Sequence, residues 1–136
     1  MARTKFPVEV LTPEGEVFNE EVEMISTRTA TGSIGVLANH APILAMLDPT
    51  ELRLYKSESE VVRFAQAEGY MQIAHNRALL LVEEAHLPSE LDADELRERL
   101  RHAQRELDSA GEDTEKRRVA ERDLRRWERF LRIAEG

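Results

Sequence analysis

Few side chains in this sequence of 136 residues are equipped for covalent or metal chemistry. There is no cysteine, which removes thiol nucleophiles, disulfide scaffolds and cysteine-based zinc sites together. The four histidines, His40, His75, His86 and His102, stand far apart without ligand spacing, so no metal site is expected. No nucleophile elbow, HExxH helix, EF-hand loop or phosphate-cradling glycine loop is present, and no catalytic residue is assigned. Gly32-Ser33-Ile34-Gly35 could pass for a ligand loop, but Gly-x-x-Gly among apolar residues usually marks a hairpin turn. His40 lies in Asn39-His40-Ala41-Pro42, a polar break in an apolar stretch. With no nucleophile and second base evident, it reads as a hydrogen-bonded loop residue. Trp127 falls on a helical apolar seam and reads as packing. The residues alone describe a non-catalytic binding or adaptor protein.

The elements that must position these residues follow two different rules. Residues 1–87 carry thirteen acids and seven bases, whereas residues 88–136 carry fourteen acids and twelve bases. Four of the six glycines and four of the five prolines fall in the first segment, and Pro88 sits at the junction. The whole chain has a net charge of −8, which disfavours nucleic acid and anionic lipid as ligands. Without proline, its apolar runs reach no more than five residues, as in Ala78–Val82, against the roughly twenty that a membrane helix needs. The basic start Met-Ala-Arg-Thr-Lys has no apolar stretch after it, so a soluble protein of a reducing compartment is expected.

The first segment reads as an all-β sandwich or barrel of about eight to ten short strands. Phe6, Val8 and Val10 alternate before the turn Thr12-Pro13-Glu14-Gly15. Val22–Ser26 reads as one strand, with Val22, Met24 and Ser26 on one face and Glu21, Glu23 and Ile25 on the other. Ile34–Leu37, Ile43–Leu47, Leu52–Tyr55, Val61–Gln66 and Tyr70–Ala74 follow, and His75-Asn76-Arg77 turns into the buried strand Ala78–Glu83. The second segment reads as an antiparallel helical hairpin. Ala93, Leu96, Leu100, Ala103, Leu107 and Ala110 are spaced 3, 4, 3, 4, 3, and Gly111 ends the seam. Ala120, Leu124, Trp127, Leu131 and Ala134 repeat the pattern. Asp92, three residues before Glu95, has capping-box spacing.

The ordered string also resembles a known family. Thr12-Pro13-Glu14-Gly15 is followed by Gly32-x-x-Gly35-Val36-Leu37-x-x-His40-Ala41-Pro42, then Glu68-Gly69-Tyr70 and Leu81-Val82-Glu83-Glu84-Ala85. With a charged two-helix tail behind it, this closely resembles the epsilon subunit of bacterial F-type ATP synthases, the counterpart of mitochondrial delta. The resemblance implies a ten-stranded β-sandwich over 1–87 that binds the gamma subunit and the c-ring, and a two-helix hairpin over 88–136. It implies a non-catalytic rotor subunit in a hetero-oligomer, a peripheral protein at the cytoplasmic face of the cell membrane without lipid insertion. It places the c-ring contact on Gly32, Ser33, Ile34 and Gly35 with Asn39 and His40, all at one end of the sandwich. Ser33 stands where many relatives carry an acid.

For the tail, the resemblance implies a regulatory element that can extend and inhibit ATP hydrolysis, presenting Arg122, Arg125, Arg126 and Arg129 to the alpha and beta catalytic subunits. Many relatives bind ATP through Ile/Leu-Asp-x-x-Arg-Ala at the start of the first helix. Leu91-Asp92 matches that opening, but Glu95 replaces the arginine and Leu96 the alanine. Leu91, Asp92, Arg99 and Arg126 are therefore a degenerate candidate site, with ATP binding expected to be weak or absent and no other cofactor. A free-standing adaptor for another complex is the alternative reading.

Overall fold

The computed structural model describes residues 3–136. They divide into two compact units, one ending at Leu87 and one running from Pro88 to Gly136. The first unit consists of β1 (Phe6–Thr12), β2 (Gly15–Val22), β3 (Met24–Thr29), β4 (Gly32–Leu37), β5 (Ile43–Leu47), β6 (Thr50–Tyr55), β7 (Val61–Gln66), β8 (Gly69–Ala74), β9 (Arg77–Val82) and β10 (Ala85–His86). They bond in the order β10-β7-β6-β3-β5-β8-β9-β1-β2, and β4 pairs with β3 alone. The pairing of β1 with β9 is parallel and the others are antiparallel.

Alternation makes this a sandwich. Phe6, Val8 and Val10 of β1, Leu52 and Leu54 of β6, Met71 and Ile73 of β8 and Leu80 and Val82 of β9 all point into one core. The two layers meet where β5 gives way to β6 across Asp48-Pro49. There β3 touches β5 through the single register pair Thr29–Leu47, flanked by Ala30 N–H to Met46 O and Asp48 N–H to Arg28 O, each 3.0 Å. Inside, the Thr27 hydroxyl donates to Gln66 Oε1 (2.6 Å), and Gln66 Nε2 donates to the carbonyls of Asp48 (2.9 Å) and Ala67 (3.0 Å). Every polar atom of that buried amide is matched, as a low-dielectric interior requires.

One strand differs from its sequence pattern. The chain breaks at Glu23 between β2 and β3, so Val22, Glu23, Ile25 and Thr27 are buried, while Met24 and Ser26 are only half-buried. The parity flips because the chain leaves a strand paired with β1 and enters one paired with β4 and β6. The Glu23 N–H donates to Tyr55 O (2.7 Å) at the break. Gly69 opens β8 where no side chain fits, because a Cβ there would lie 2.0 Å from the Leu81 carbonyl oxygen.

The second unit holds a short 3-10 turn (Pro88–Glu90) followed by α1 (Ala93–Asp108) and α2 (Thr114–Glu135). Asp92 caps α1, accepting from the N–H groups of Asp94 (3.0 Å) and Glu95 (3.2 Å), and Asp113 caps α2 through the Lys116 N–H (3.0 Å). The capping box is not completed, because Glu95 turns its carboxylate to Arg99. Gly111 adopts the left-handed conformation (φ 55°) in the connection. The seam of α2 is rotated from the expected one. Ala120, Arg126 and Phe130 are its buried residues, while Leu124, Trp127 and Leu131 are half-buried. Phe130 takes the inner place by meeting Trp127 edge-on, with ring centroids 5.8 Å apart at 73°.

Candidate functional site

An apolar row on the outside of the sandwich is its most distinctive surface. Met46 of β5 stands opposite Tyr70 of β8, Tyr70 opposite Leu81 of β9, and Leu81 opposite Leu11 of β1. Leu44 lies two residues from Met46, on the same face. These side chains are large and exposed: Leu44 73%, Met46 61%, Tyr70 52% and Leu81 46%. Cross-strand neighbours stand about 5 Å apart at Cβ, so the row is continuous. A contiguous apolar patch on a charged domain is the mark of a docking surface. Glu9 continues the same face beyond Leu79, and its carboxyl is held above the usual range by a hydrogen bond with Glu16, against the opposing pull of Arg77. The sequence carried a signal for this row: Ile43-Leu44-Ala45-Met46-Leu47 is apolar on both faces of a strand, whereas a strand with one wet face should alternate.

The loop residues assigned to one end of the sandwich are not together. The turn is Ala30-Thr31, and Gly32 (φ 137°), Ser33, Ile34 and Gly35 belong to β4. Gly32 stands opposite Thr29, beside the β3–β5 joint. Asn39 and His40 follow the other end of β4, about 17 Å away for a strand of this length. There the Asn39 N–H donates to Asn76 Oδ1 (2.6 Å), tying the loop to the His75-Asn76 turn, whose two residues both have positive φ (52° and 56°). The expected single cluster fails because β4 is a strand, not a loop, and its length separates the two ends. His40 Nδ1 meets the Ala41 carbonyl at 2.7 Å, the arrangement of a hydrogen-bonded loop residue.

In the helical unit, Leu91 and Asp92 precede α1, and Asp92 spends its carboxylate on the cap. Arg99 is paired with Glu95, and its guanidinium lies 4.8 Å from the Trp127 ring centroid. The buried Arg126 lies 5.2 Å from the same ring. Both cations that a polyanion would need are therefore engaged with the indole. Arg122, Arg125, Arg126 and Arg129 share one helical stripe, but Arg122 and Arg125 are exposed, Arg129 is half-buried and Arg126 is buried. Ion pairs across the hairpin include Arg97 to Glu135 (2.6 Å) and Lys116 to Glu106 (3.5 Å). A cavity of about 410 Å³ near the turn is lined by Ala103, Val119 and Ala120 together with His102, Glu106 and Asp123. Among the described residues no group of three His, Asp or Glu side chains could hold a metal ion, and no helix is long and apolar enough to cross a membrane.

A stiff all-β module with an exposed apolar row and an appended helical hairpin belongs to the class of docking subunits of larger assemblies. Residues 5–88 match the model of the ATP synthase delta/epsilon chain β-sandwich domain. The chain is 33% identical over 130 residues to the ATP synthase epsilon chain of Rubrobacter xylanophilus, covering 92% of this chain and 88% of that one. It is 34% identical over 130 residues to that of Persephonella marina (96% and 91%) and 41% identical over 101 residues to the chloroplastic chain of Adiantum capillus-veneris (74% and 76%). The chain belongs to the ATP synthase epsilon-chain family. Its fold is that of a chain in the OSCP/F1/c-ring assembly of Euglena gracilis mitochondrial ATP synthase, with a TM-score of 0.81 at 22% identity over 97% of this chain and 82% of that one.

Proposed function

We propose that the chain is a non-catalytic rotor subunit of an F-type ATP synthase, coupling rotation of the c-ring to the catalytic head from the cytoplasmic face of the membrane. The observation that carries this reading is the exposed row Leu44, Met46, Tyr70 and Leu81 on a densely cored sandwich. Burying such a row stabilises an interface by roughly 25 cal/mol per Å² of apolar surface, and a close-packed core resists the deformation that torque would impose. The gamma subunit is assigned to this row. The c-ring is assigned to the turn end of β4, at Gly32 and Ser33, and the distant Asn39–His40 end is left out of that contact.

The test is binding of the full chain to its cognate gamma subunit. Leu44→Glu and Tyr70→Glu place charge on the row while leaving the core residues of β5 and β8 untouched, and each should weaken binding at least tenfold. Wild-type affinity in both variants would remove gamma from this face. For the ring contact, Ser33→Trp should lower proton coupling in reconstituted enzyme and His40→Trp should not.

The tail is assigned a regulatory role. Its two packed helices place Arg122, paired with Asp123 at 3.1 Å, and Arg125 at exposed positions, and opening the hairpin would let them exchange their present partners for acidic surfaces of the alpha and beta subunits. Assembled enzyme whose chain ends at Leu87 should hydrolyse ATP faster than enzyme with the full chain. An unchanged rate would make the tail a structural appendage.

A further inference from the structure

Strand β4 is an edge of the sheet, since it pairs with β3 alone. Edges are normally blunted by charge, by brevity or by a bulge. The other two ends of the strand order follow this rule. Strand β2 carries Glu16, Glu20 and Glu21, and β10 is two residues long. Strand β4 does neither: Gly32-Ser33-Ile34-Gly35-Val36-Leu37 is six residues without a charge or a proline, in unbroken register with β3 from Met24–Leu37 to Thr29–Gly32. On a domain with thirteen acids and seven bases, this edge is free of both.

The direction of its free backbone groups follows from the joint. Arg28 O and Ala30 N–H are bonded toward β5. Backbone groups alternate sides along a strand, so Ile25, Thr27 and Thr29 face β4, and their partners Val36, Ile34 and Gly32 face back. The N–H and C=O groups of Ser33, Gly35 and Leu37 therefore point off the edge, and among the described residues no backbone hydrogen bond reaches them from outside the ladder. Their side chains are exposed as well, and a Cβ built on Gly35 would meet only Met24 Sδ, at 4.0 Å. The strand itself carries no charged side chain that would oppose a further strand.

We infer that β4 is a strand-addition site, and that its occupant is an extended segment of the gamma partner, hydrogen-bonded to the backbone of Gly35 and Leu37, beyond the turn end assigned to the c-ring. This rests on the proposed docking of gamma at the apolar row. The row ends at Met46, which bonds to Ala30, and β4 begins at Gly32, paired with the adjacent Thr29. One partner seated on the row thus arrives beside the open edge. An uncharged edge whose exposed residues are Ser33, Gly35 and Leu37 selects for backbone pairing and apolar or hydroxyl side chains on the incoming strand.

Amide exchange of the ¹⁵N-labelled full chain, free and with cognate gamma, reads this residue by residue. Gly35 and Leu37 should exchange rapidly alone and be slowed at least a hundredfold in the complex, while Ile34 and Val36 are already slow. Gly35→Pro removes an outward N–H that no ladder bond uses and should weaken gamma binding at least tenfold, with a thermal melt confirming that the variant folds. Leu37→Lys, a charge on the edge, should do the same. If gamma binds but these amides stay open, or if both variants bind like wild type, the inference is wrong while the docking row stands. If gamma binds and Leu44→Glu has no effect, the reading beneath it has failed too. Slow exchange in the free chain, together with sedimentation as a dimer, would assign the edge to a second copy and overturn the inference.

Discussion

Gly69→Ala adds one methyl group where the backbone of β9 already stands. The new Cβ would lie 2.0 Å from Leu81 O, 2.7 Å from Val82 Cα and 2.9 Å from Leu81 C, all main-chain atoms that no rotamer change can move. Reaching ordinary contact at 3.4 Å means parting β8 from β9 by about 1.4 Å. A 2.9 Å hydrogen bond stretched by that amount is lost. Ladder bonds around the Gly69–Val82 pair, including Glu83 N–H to Glu68 O and Ala67 N–H to Glu84 O, are the ones exposed to it. Two or three bonds at ~1 kcal/mol each, with the loosened packing of Met71 and Val82, give a loss of about 3–5 kcal/mol. For a unit of this size that is a fall in Tm on the order of 15–30 °C. Both tyrosines, Tyr55 and Tyr70, lie in the sandwich and the single tryptophan in the tail, so near-ultraviolet dichroism of the tyrosines follows the right unit. Gly35→Ala is the internal control, expected within roughly 0.5 kcal/mol of wild type because its Cβ meets only Met24 Sδ, at an ordinary contact distance of 4.0 Å. A Gly69→Ala melt within a few degrees of wild type would refute the steric argument.

Thr27→Val leaves Gln66 Oε1 without its 2.6 Å donor in a fully buried site and should cost about 1–3 kcal/mol in chemical denaturation, more than the same change at exposed Thr31. The tail should lose helicity in acid: Arg101 holds the Glu98 carboxyl, and Arg118 the Glu115 carboxyl, below the ordinary 4.5, so their stabilisation is present above that value and fades as pH falls through the lower folded one. Dichroism at 222 nm with Trp127 fluorescence measures this, and a tail that tightened in acid would contradict it. Glu9 works in the opposite sense, since its raised carboxyl favours the folded state as pH drops; Glu9→Gln should raise sandwich stability at neutral pH by removing the repulsion from Glu16. ATP added to the free chain should bind more weakly than about millimolar, because Glu95 and Trp127 engage Arg99; micromolar binding in calorimetry, lost in Asp92→Ala, would show otherwise.

The two periodicities, near 2 and near 3.6, were enough to separate sandwich from hairpin, because burial on one face dictates spacing in each. Alternation located Phe6, Val8, Val10, Leu52 and Leu54 in the core, and turn chemistry located His75-Asn76. Two things were not legible. The parity change at Glu23 depends on the chain passing from one pairing partner to another, which no local pattern encodes. The inward turn of Phe130 depends on its contact with Trp127, since an aromatic three residues from another can pack or point outward with equal local propriety. The exposed row was hidden for a related reason, since its apolar side chains resemble core until the strands are registered against one another.

The joint between the two layers has a mechanical meaning. A sandwich held only by its greasy interior would let one plate glide over the other under sideways load. Here the layers share a continuous hydrogen-bonded path, but at one place it narrows to the Thr29–Leu47 pair and its two flanking bonds. A second joint exists where Ala67 N–H donates to Glu84 O (2.9 Å) and Glu83 N–H to Glu68 O (3.0 Å), carrying the pairing of β7 with β10 over into that of β8 with β9. Torque entering through one layer and leaving through the other would be shared between these two joints. The one at Thr29–Leu47 sits beside the turn end of β4 and the end of the apolar row, where ring and stalk are proposed to take hold.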